Sequence, residues 1–285
     1  MAEKAPRPIL VTGGNDGIGL ALCRQLVVDH ECHVFLTSRS IERGRAAVES
    51  IRTTMSEQAA GRIEGVQLDV TDPRAIAAAV RSVQTSLGEG SRLYGLVNNA
   101  GVGLATATSP QEVIETNLLG VKRVNEAFLS ADLVSDRVVH VGSGSGPSYV
   151  QRCPPEAQDA LCRYPESWAA IEMLLARSPD GRTGFGSAAD SNGGYGLSKA
   201  MLTLYTMLCA REHPELLWSC VSPGWIRTKL VGHDGPSKGP EEGTASILHG
   251  LFGELGGNGW YYGSDCLRSP LHYMRNPGEP AYEGP

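Results

Sequence analysis

The sequence predicts an α/β fold: a doubly wound, mostly parallel sheet of seven strands flanked by helices. Three observations carry this. Short apolar runs recur along the 285 residues, each long enough for a strand. Between most of them stand helical patterns of ten or more residues, the connection that parallel neighbours require. The first apolar run enters a glycine cluster, "TGGNDGIG", that opens directly into an amphipathic segment.

Ile9–Thr12 reads as a short buried strand, and Ile18–Val28 as its helix, with Ile18, Ala21, Leu22 and Leu26 on related turns. "HVFLTS" is the second strand, followed by a helix over Ile41–Glu57. "GVQLDV" is the third. Asp72 before Pro73 then caps a helix reaching Leu87. "LYGLVNNAG" is the fourth strand. Ser109 and Glu112, at capping-box spacing around Pro110, start a helix running to Leu129. "DRVVHVGSG" is the fifth strand, "GYGLSKAMLTLYTMLCAREH" a helix, "LWSCVSPG" the sixth strand and "WYYGSD" the seventh. Right-handed crossovers place strand ends, and any ligand, on one edge of such a sheet.

Two segments break the rhythm of this single expected domain, 1–285. The insertion 146–192 is far longer than an ordinary connection. It carries a helical pattern over Glu166–Arg177, with Trp168, Ile171 and Leu175 on one face. The loop 229–243 is rich in Gly and Pro and has the composition of a lid or a surface loop.

Composition excludes several classes. The formal net charge is -6 without a Lys/Arg block, so nucleic acid is not an expected partner. The seven cysteines are odd in number and show no Cys-x-x-Cys, which reads as reduced thiols. The seven histidines show no metal-ligand spacing, so no metal is implied; His140 in "VVHV" reads as a packed strand residue. "MAEKAPRP" lacks a signal-peptide core, and no apolar run reaches roughly 18 residues, so a cytoplasmic protein without a membrane partner is expected.

Gly13, Gly17 and Gly19 have the spacing T-G-x-x-x-G-x-G. Placed between strand and helix, they let the chain turn sharply and let a pyrophosphate approach the helix N-terminus; a tight turn without ligand is the alternative. At the end of the second strand the run is "TSRS", with no carboxylate to hold ribose hydroxyls. Arg39 there can pair with a 2'-phosphate, which favours NADP(H) over NAD(H).

T-G-x-x-x-G-x-G, "NNAG" at Asn98–Gly101, a serine after the fifth strand, Tyr195-x-x-x-Lys199 and Pro223–Gly224 occur in that order. By these motifs, from about Ile9 to Asp265, the chain resembles the short-chain dehydrogenase/reductase family, which implies a Rossmann-type sheet. The long gap between Ser143 and Tyr195 and the run "SPGWIRTKL" resemble the monomeric carbonyl reductases and their plant relatives that reduce terpenoid or alkaloid ketones. In those relatives the insertion covers a surface that other members use to oligomerise, which implies a monomer here. The resemblance implies a cofactor set. Gly13, Asn15, Asp16, Gly17, Ile18 and Gly19 would line the pyrophosphate, Ser38 and Arg39 the adenosine phosphate, and Asp69 and Val70 the adenine. Asn98, Asn99, Ala100 and Gly101 would border the cofactor along strand four. Pro223, Gly224, Ile226 and Thr228 would meet the nicotinamide. In one place the chain departs from the pattern: NADP-dependent relatives commonly carry Lys or Arg where Asp16 stands. A carboxylate repels phosphate unless it points away.

Tyr195 and Lys199, four apart on a helix, share a face. An ammonium near a phenol lowers its pKa from about 10, which suits proton transfer near neutrality. By the resemblance Tyr195 exchanges the proton, and Lys199 also holds ribose hydroxyls. Ser143 orients the carbonyl oxygen, with Ser145 its rival in "VGSGSG" and the family register favouring Ser143. Asn117 would disturb its helix and lead a water to Lys199. Trp225, with the candidate aromatics Tyr149, Trp168 and Phe185, would face the substrate or anchor the insertion. The expected function is NADPH-dependent reduction of a ketone, aldehyde or quinone. Alternatives are a specialised-metabolite ketone reductase or alcohol dehydrogenase, and a non-catalytic NADP-binding sensor or scaffold.

Overall fold

The computed structural model describes residues 5–103, 106–176, 194–230 and 238–284. Seven strands form one all-parallel sheet in the order β3-β2-β1-β4-β5-β6-β7. They are β1 (Pro8–Val11), β2 (His33–Ser38), β3 (Ile63–Gln67), β4 (Leu93–Asn98), β5 (Val134–Val141), β6 (Leu217–Val221) and β7 (Trp260–Tyr262). The strand order reverses beside β1, with β2 on one side and β4 on the other. Such a switch point opens a crevice at the strand ends. The chain divides into two compact units, one of residues 1–100 with 120–138, the other of 101–119 with 139–285.

In the first unit, helices α1 (Gly17–Val28), α2 (Ile41–Arg52), α3 (Glu57–Ala60) and α4 (Pro73–Leu87) connect β1 to β4. Ile9, Leu10, Val11, Val34, Phe35 and Leu36 have no exposed surface, as expected of strands covered on both faces. Several boundaries differ from the sequence expectation, two of them for a clear local reason. The helix expected to reach Glu57 stops at Arg52. There the Thr53 and Thr54 hydroxyls donate back to the Ser50 and Ile51 carbonyls, and Ser56 caps the short α3. Strand three ends at Gln67 rather than Val70, because Asp69 turns the chain by accepting the Thr71 N–H and hydroxyl.

The segment after β4 is interrupted too. Helix α5 (Pro110–Ile114) widens into a π-helical turn at Glu115–Gly120 before α6 (Val121–Ser130). Ser109 caps α5 at the Glu112 N–H, but the Glu112 carboxylate reaches the Thr108 N–H and hydroxyl, not the Ser109 N–H of a capping box.

In the second unit the insertion begins with three helices, α7 (Ser145–Gln151), α8 (Pro155–Cys162) and α9 (Trp168–Ala176). All three pack on α10 (Tyr195–Glu212), where every residue from Gly196 to Ala210 is buried. The rest of the insertion, with the candidate Phe185, and residues 231–237 of the expected loop 229–243 lie outside the described residues. Helix α11 (Ala245–Phe252) packs on β6. No helix among the described residues is long and apolar enough to cross a membrane.

Candidate active site

The glycine turn in the first unit is built from backbone outward. Gly13 has φ +64°, a conformation that side chains rarely adopt. At Gly19 a Cβ would stand 2.4 Å from the Gly13 carbonyl oxygen and 2.5 Å from Asn99 Nδ2, so only glycine lets α1 approach this closely. Thr12 braces the turn: its hydroxyl accepts the N–H of Asn99 at 2.9 Å and of Ala100 at 3.0 Å. Asn99 returns the support, donating to the carbonyls of Thr12 and Gly13. Composition and spacing did not single out Thr12; a hydroxyl directly before the first glycine is the signal available. A backbone kept this bare at a helix start can take a pyrophosphate.

Around that turn the candidate residues differ in availability. Asn15, Gly17 and Ile18 are half-buried, whereas Asp16 is exposed. The Asp16 carboxylate folds back to cap α1, accepting the Gly17 N–H at 2.9 Å. Ser38 is buried, and its hydroxyl accepts the Ser40 N–H. Arg39 is exposed; its carbonyl accepts from Gln67, which fixes the backbone and leaves the long side chain in solvent. Val70 is buried against Gly120. Asn98 was expected to border the cofactor, but it is buried and donates to Asn125 at 2.8 Å, tying β4 to α6.

The second unit gathers the candidate proton-handling residues. The Ser143 side chain acts on the Tyr195 phenol, lowering its pKa in part, while Ser145 starts α7 and donates its N–H to Ser143 Oγ. Tyr195 opens α10 behind Gly194, whose φ is +88°. Lys199, one turn on, is buried; its ammonium donates to the Val141 carbonyl at 2.8 Å and lies 5.7 Å from the centre of the Tyr195 ring. Burial pushes the Lys199 pKa down to about 8. The expectation of a lowered tyrosine pKa does not hold: burial raises it, and the Ser143 hydroxyl offsets only part. Desolvation of the phenolate outweighs an ammonium at that range.

Asn117 sits in the π-helical turn with no exposed surface. Its side chain accepts the Val102 N–H and donates to the Val102 carbonyl, both at 2.9 Å, and donates to the Ser198 hydroxyl. Ser198 in turn donates to the Tyr195 carbonyl at 2.7 Å. Asn117 thus ties the loop at Gly101–Gly103 to the first turn of α10. A Cβ on Gly101 would stand 3.1 Å from Asn117 Oδ1.

After β6, Pro223 is buried and Gly224 takes φ +88°. Ile226 is buried and bridges Lys238, and Thr228 is half-exposed. Ser222, which the sequence reading passed over, joins two loops: its hydroxyl accepts the N–H groups of Gly144 at 3.2 Å and Gly224 at 3.3 Å. Its only signal is a serine directly before "PG". Of the candidate aromatics, Trp225 is 66% exposed. Tyr149 is a correction: it is wholly buried beneath Gly196 and offers no surface to a substrate. Trp168 meets Tyr205 of α10 edge to face, an anchor for the insertion.

Comparison with known proteins identifies the family. The short chain dehydrogenase family model matches residues 7–155. The (+)-neomenthol dehydrogenase of Arabidopsis thaliana is 32% identical over 264 residues, 81% of this chain and 86% of the relative. Carbonyl reductase (NADPH) 1 of Homo sapiens is 30% identical over 259 residues, 84% of this chain and 88% of the relative. Among solved structures, salutaridine reductase from Papaver somniferum superposes with a TM-score of 0.75 at 27% identity, covering 90% of this chain and 99% of that one. With more than half its length matched by the family model and relatives of this identity aligned over most of it, the chain belongs to the short chain dehydrogenase family of oxidoreductases.

Proposed function

We propose that the protein is an NADP(H)-dependent reductase of a ketone, aldehyde or quinone, with Tyr195 as the proton donor. The observation that carries the reading is the group Ser143–Tyr195–Lys199: a phenol kept protonated by burial, influenced by the serine, with a buried ammonium one helical turn away. Reduction of a carbonyl leaves an alkoxide, which must receive a proton. A phenol whose pKa is raised stays charged with that proton across neutral pH. Lys199, at about 8, remains largely cationic at neutrality, favours the phenolate once formed, and sits close enough to neutrality to pass a proton on. Ser143 donates to the carbonyl oxygen and orients it. Asn117 holds Ser198 and so the first turn of α10, which aims Tyr195.

The bare turn at Gly13–Gly19 supports dinucleotide binding, and relatives whose names carry NADPH support NADP(H). When bound, NADP(H) supplies the hydride. Asn15, Asp16, Gly17 and Ile18 would line its pyrophosphate, Ser38 and Arg39 its 2'-phosphate, and Asp69 and Val70 its adenine. Asn99, Ala100 and Gly101 would flank it. Lys199 would take ribose hydroxyls, and Pro223, Gly224, Ile226 and Thr228 the nicotinamide. The names neomenthol dehydrogenase and salutaridine reductase favour a bulky cyclic ketone as substrate.

The reading extends to a cytoplasmic monomer, a single dehydrogenase domain with the insertion 146–192 and substrate loop 229–243. Seven free cysteines fit a reducing compartment, and α7, α8 and α9 cover one side of α10. NADPH consumption with a panel of ketones, aldehydes and quinones, run beside NADH, tests the reading. Turnover with NADPH is expected; binding of NADPH with no turnover of any carbonyl makes the chain a sensor instead. A stable tetramer in light scattering would remove the monomer assignment.

A further inference from the structure

The chain continues past β7 in a segment that the reaction proposed above does not use. Its start and its end both touch loops of the site. At the start, a Cβ on Gly224 would stand 3.0 Å from the Ser264 Cβ. At the end, a Cβ on Gly144 would stand 3.2 Å from Met274 Sδ and 3.6 Å from its Cγ. Gly144 directly follows Ser143, and the Ser222 hydroxyl ties Gly144 and Gly224 to each other. The segment therefore crosses from the loop after β6 to the loop after β5.

Its position is fixed by the neighbour of Met274. The Arg275 side chain is 1% exposed and pairs with Asp265. Its Nε donates to Ser269 Oγ at 3.1 Å, and its remaining N–H groups reach the Asn276 and Glu279 carbonyls. Asp265 Oδ2 also accepts the Gly278 N–H. A guanidinium this fully bonded locks the backbone on either side of it. Met274, by contrast, leaves 47% of its surface exposed. The arrangement resembles an anchor and a paddle: a buried arginine holds an unbranched, apolar, open side chain against the glycine beside Ser143.

We propose that Met274 is a specificity-determining residue: it forms an apolar wall beside Ser143 and sets the size of the substituent that the carbonyl can carry. This rests on the reductase reading. Thioether side chains fill irregular space and adapt to apolar ligands. One methylene more or less in such a pocket changes discrimination by roughly 10–200-fold.

The test compares wild type with Met274→Ala and Met274→Trp, each with saturating NADPH, on a small acyclic methyl ketone and a bicyclic ketone. Met274→Ala is expected to raise the bulky-to-small ratio of kcat/KM by about tenfold or more, and Met274→Trp to lower it. NADPH affinity and thermal midpoint should stay at wild-type values, because the residue is half-exposed and lies outside the proposed cofactor set. Met173→Ala, on α9 and more exposed than Met274, serves as control and should leave the ratio unchanged. An active wild type whose ratio moves less than about twofold in both variants overturns this inference alone. A wild type that turns over no carbonyl overturns it together with the function on which it rests.

Discussion

Acidification should destabilise this protein through one buried histidine. His140 on β5 has no exposed surface. Its Nδ1 lies 2.8 Å from the Thr206 hydroxyl, which itself donates to the Leu202 carbonyl, so the ring must donate its Nδ1–H. The ring stacks on Tyr205 and meets Trp218 edge to face. Burial first, and the Lys199 charge second, push its pKa down from 6.5 to about 3. The folded state thus keeps the ring neutral where the unfolded chain protonates it. Stability is fully present above about 6.5 and is lost as the pH falls toward 3. Each unit of separation is worth about 1.4 kcal/mol, so about two units below the unfolded pKa the loss is about 3 kcal/mol. The same strand carries the Val141 carbonyl that holds Lys199, so this core site supports the candidate active site. The assay is urea unfolding of wild type and His140→Phe at about pH 7.5 and about pH 4.5. Carboxylates titrate in both proteins and cancel in the comparison. Wild type should lose about 2–3 kcal/mol more than the variant between the two conditions. Parallel losses would refute the argument that His140 stays neutral.

The remaining predictions concern the two candidate sites. Asn117→Ala removes three hydrogen bonds, one buried and two part-buried, and leaves the Val102 N–H and carbonyl without the Asn117 partner, a cost of about 1–3 kcal/mol per group, read by denaturation. Because Ser198 also loses the Asn117 donor and keeps only its bond to the Tyr195 carbonyl, kcat should fall more than NADPH affinity. Arg39→Ala should raise the KM for NADPH by about 10–100-fold and leave that for NADH unchanged, the value of a charge-assisted contact. In the opposite sense, Asp16→Lys should lower the KM for NADPH while costing about 1 kcal/mol of stability through the lost cap on α1.

Much of the sheet was legible because β1 and β2 are near-continuous apolar runs bounded by turns, and such strands need no partner information. Boundaries were less so. Thr53 and Thr54 end α2 through their own hydroxyls, a local competition that helical periodicity does not weigh. The glycine turn was legible for a related reason: Gly13 and Gly19 are required by backbone conformation and close approach, both tied to residue type. Properties that depend on three-dimensional burial were not. Spacing put Tyr195 beside Lys199, but the sign of the tyrosine shift is decided by desolvation, which spacing does not carry. Tyr149 looked available because it follows Ser143 closely in the chain; α7 turns it inward. Ser222 and Arg275 act through partners distant in sequence, Gly144 and Asp265, so neither could be singled out beforehand.

The central claim is that Tyr195 supplies the proton in an NADPH-dependent carbonyl reduction. Steady-state turnover of Tyr195→Phe, paired with a fluorescence titration of NADPH on the same protein, tests it most directly. The variant keeps the ring and removes only the hydroxyl. Wild-type NADPH affinity is expected, with kcat lowered by about 100-fold or more, the range of a positioned general acid. A variant that binds NADPH and retains kcat within about tenfold of wild type would contradict it.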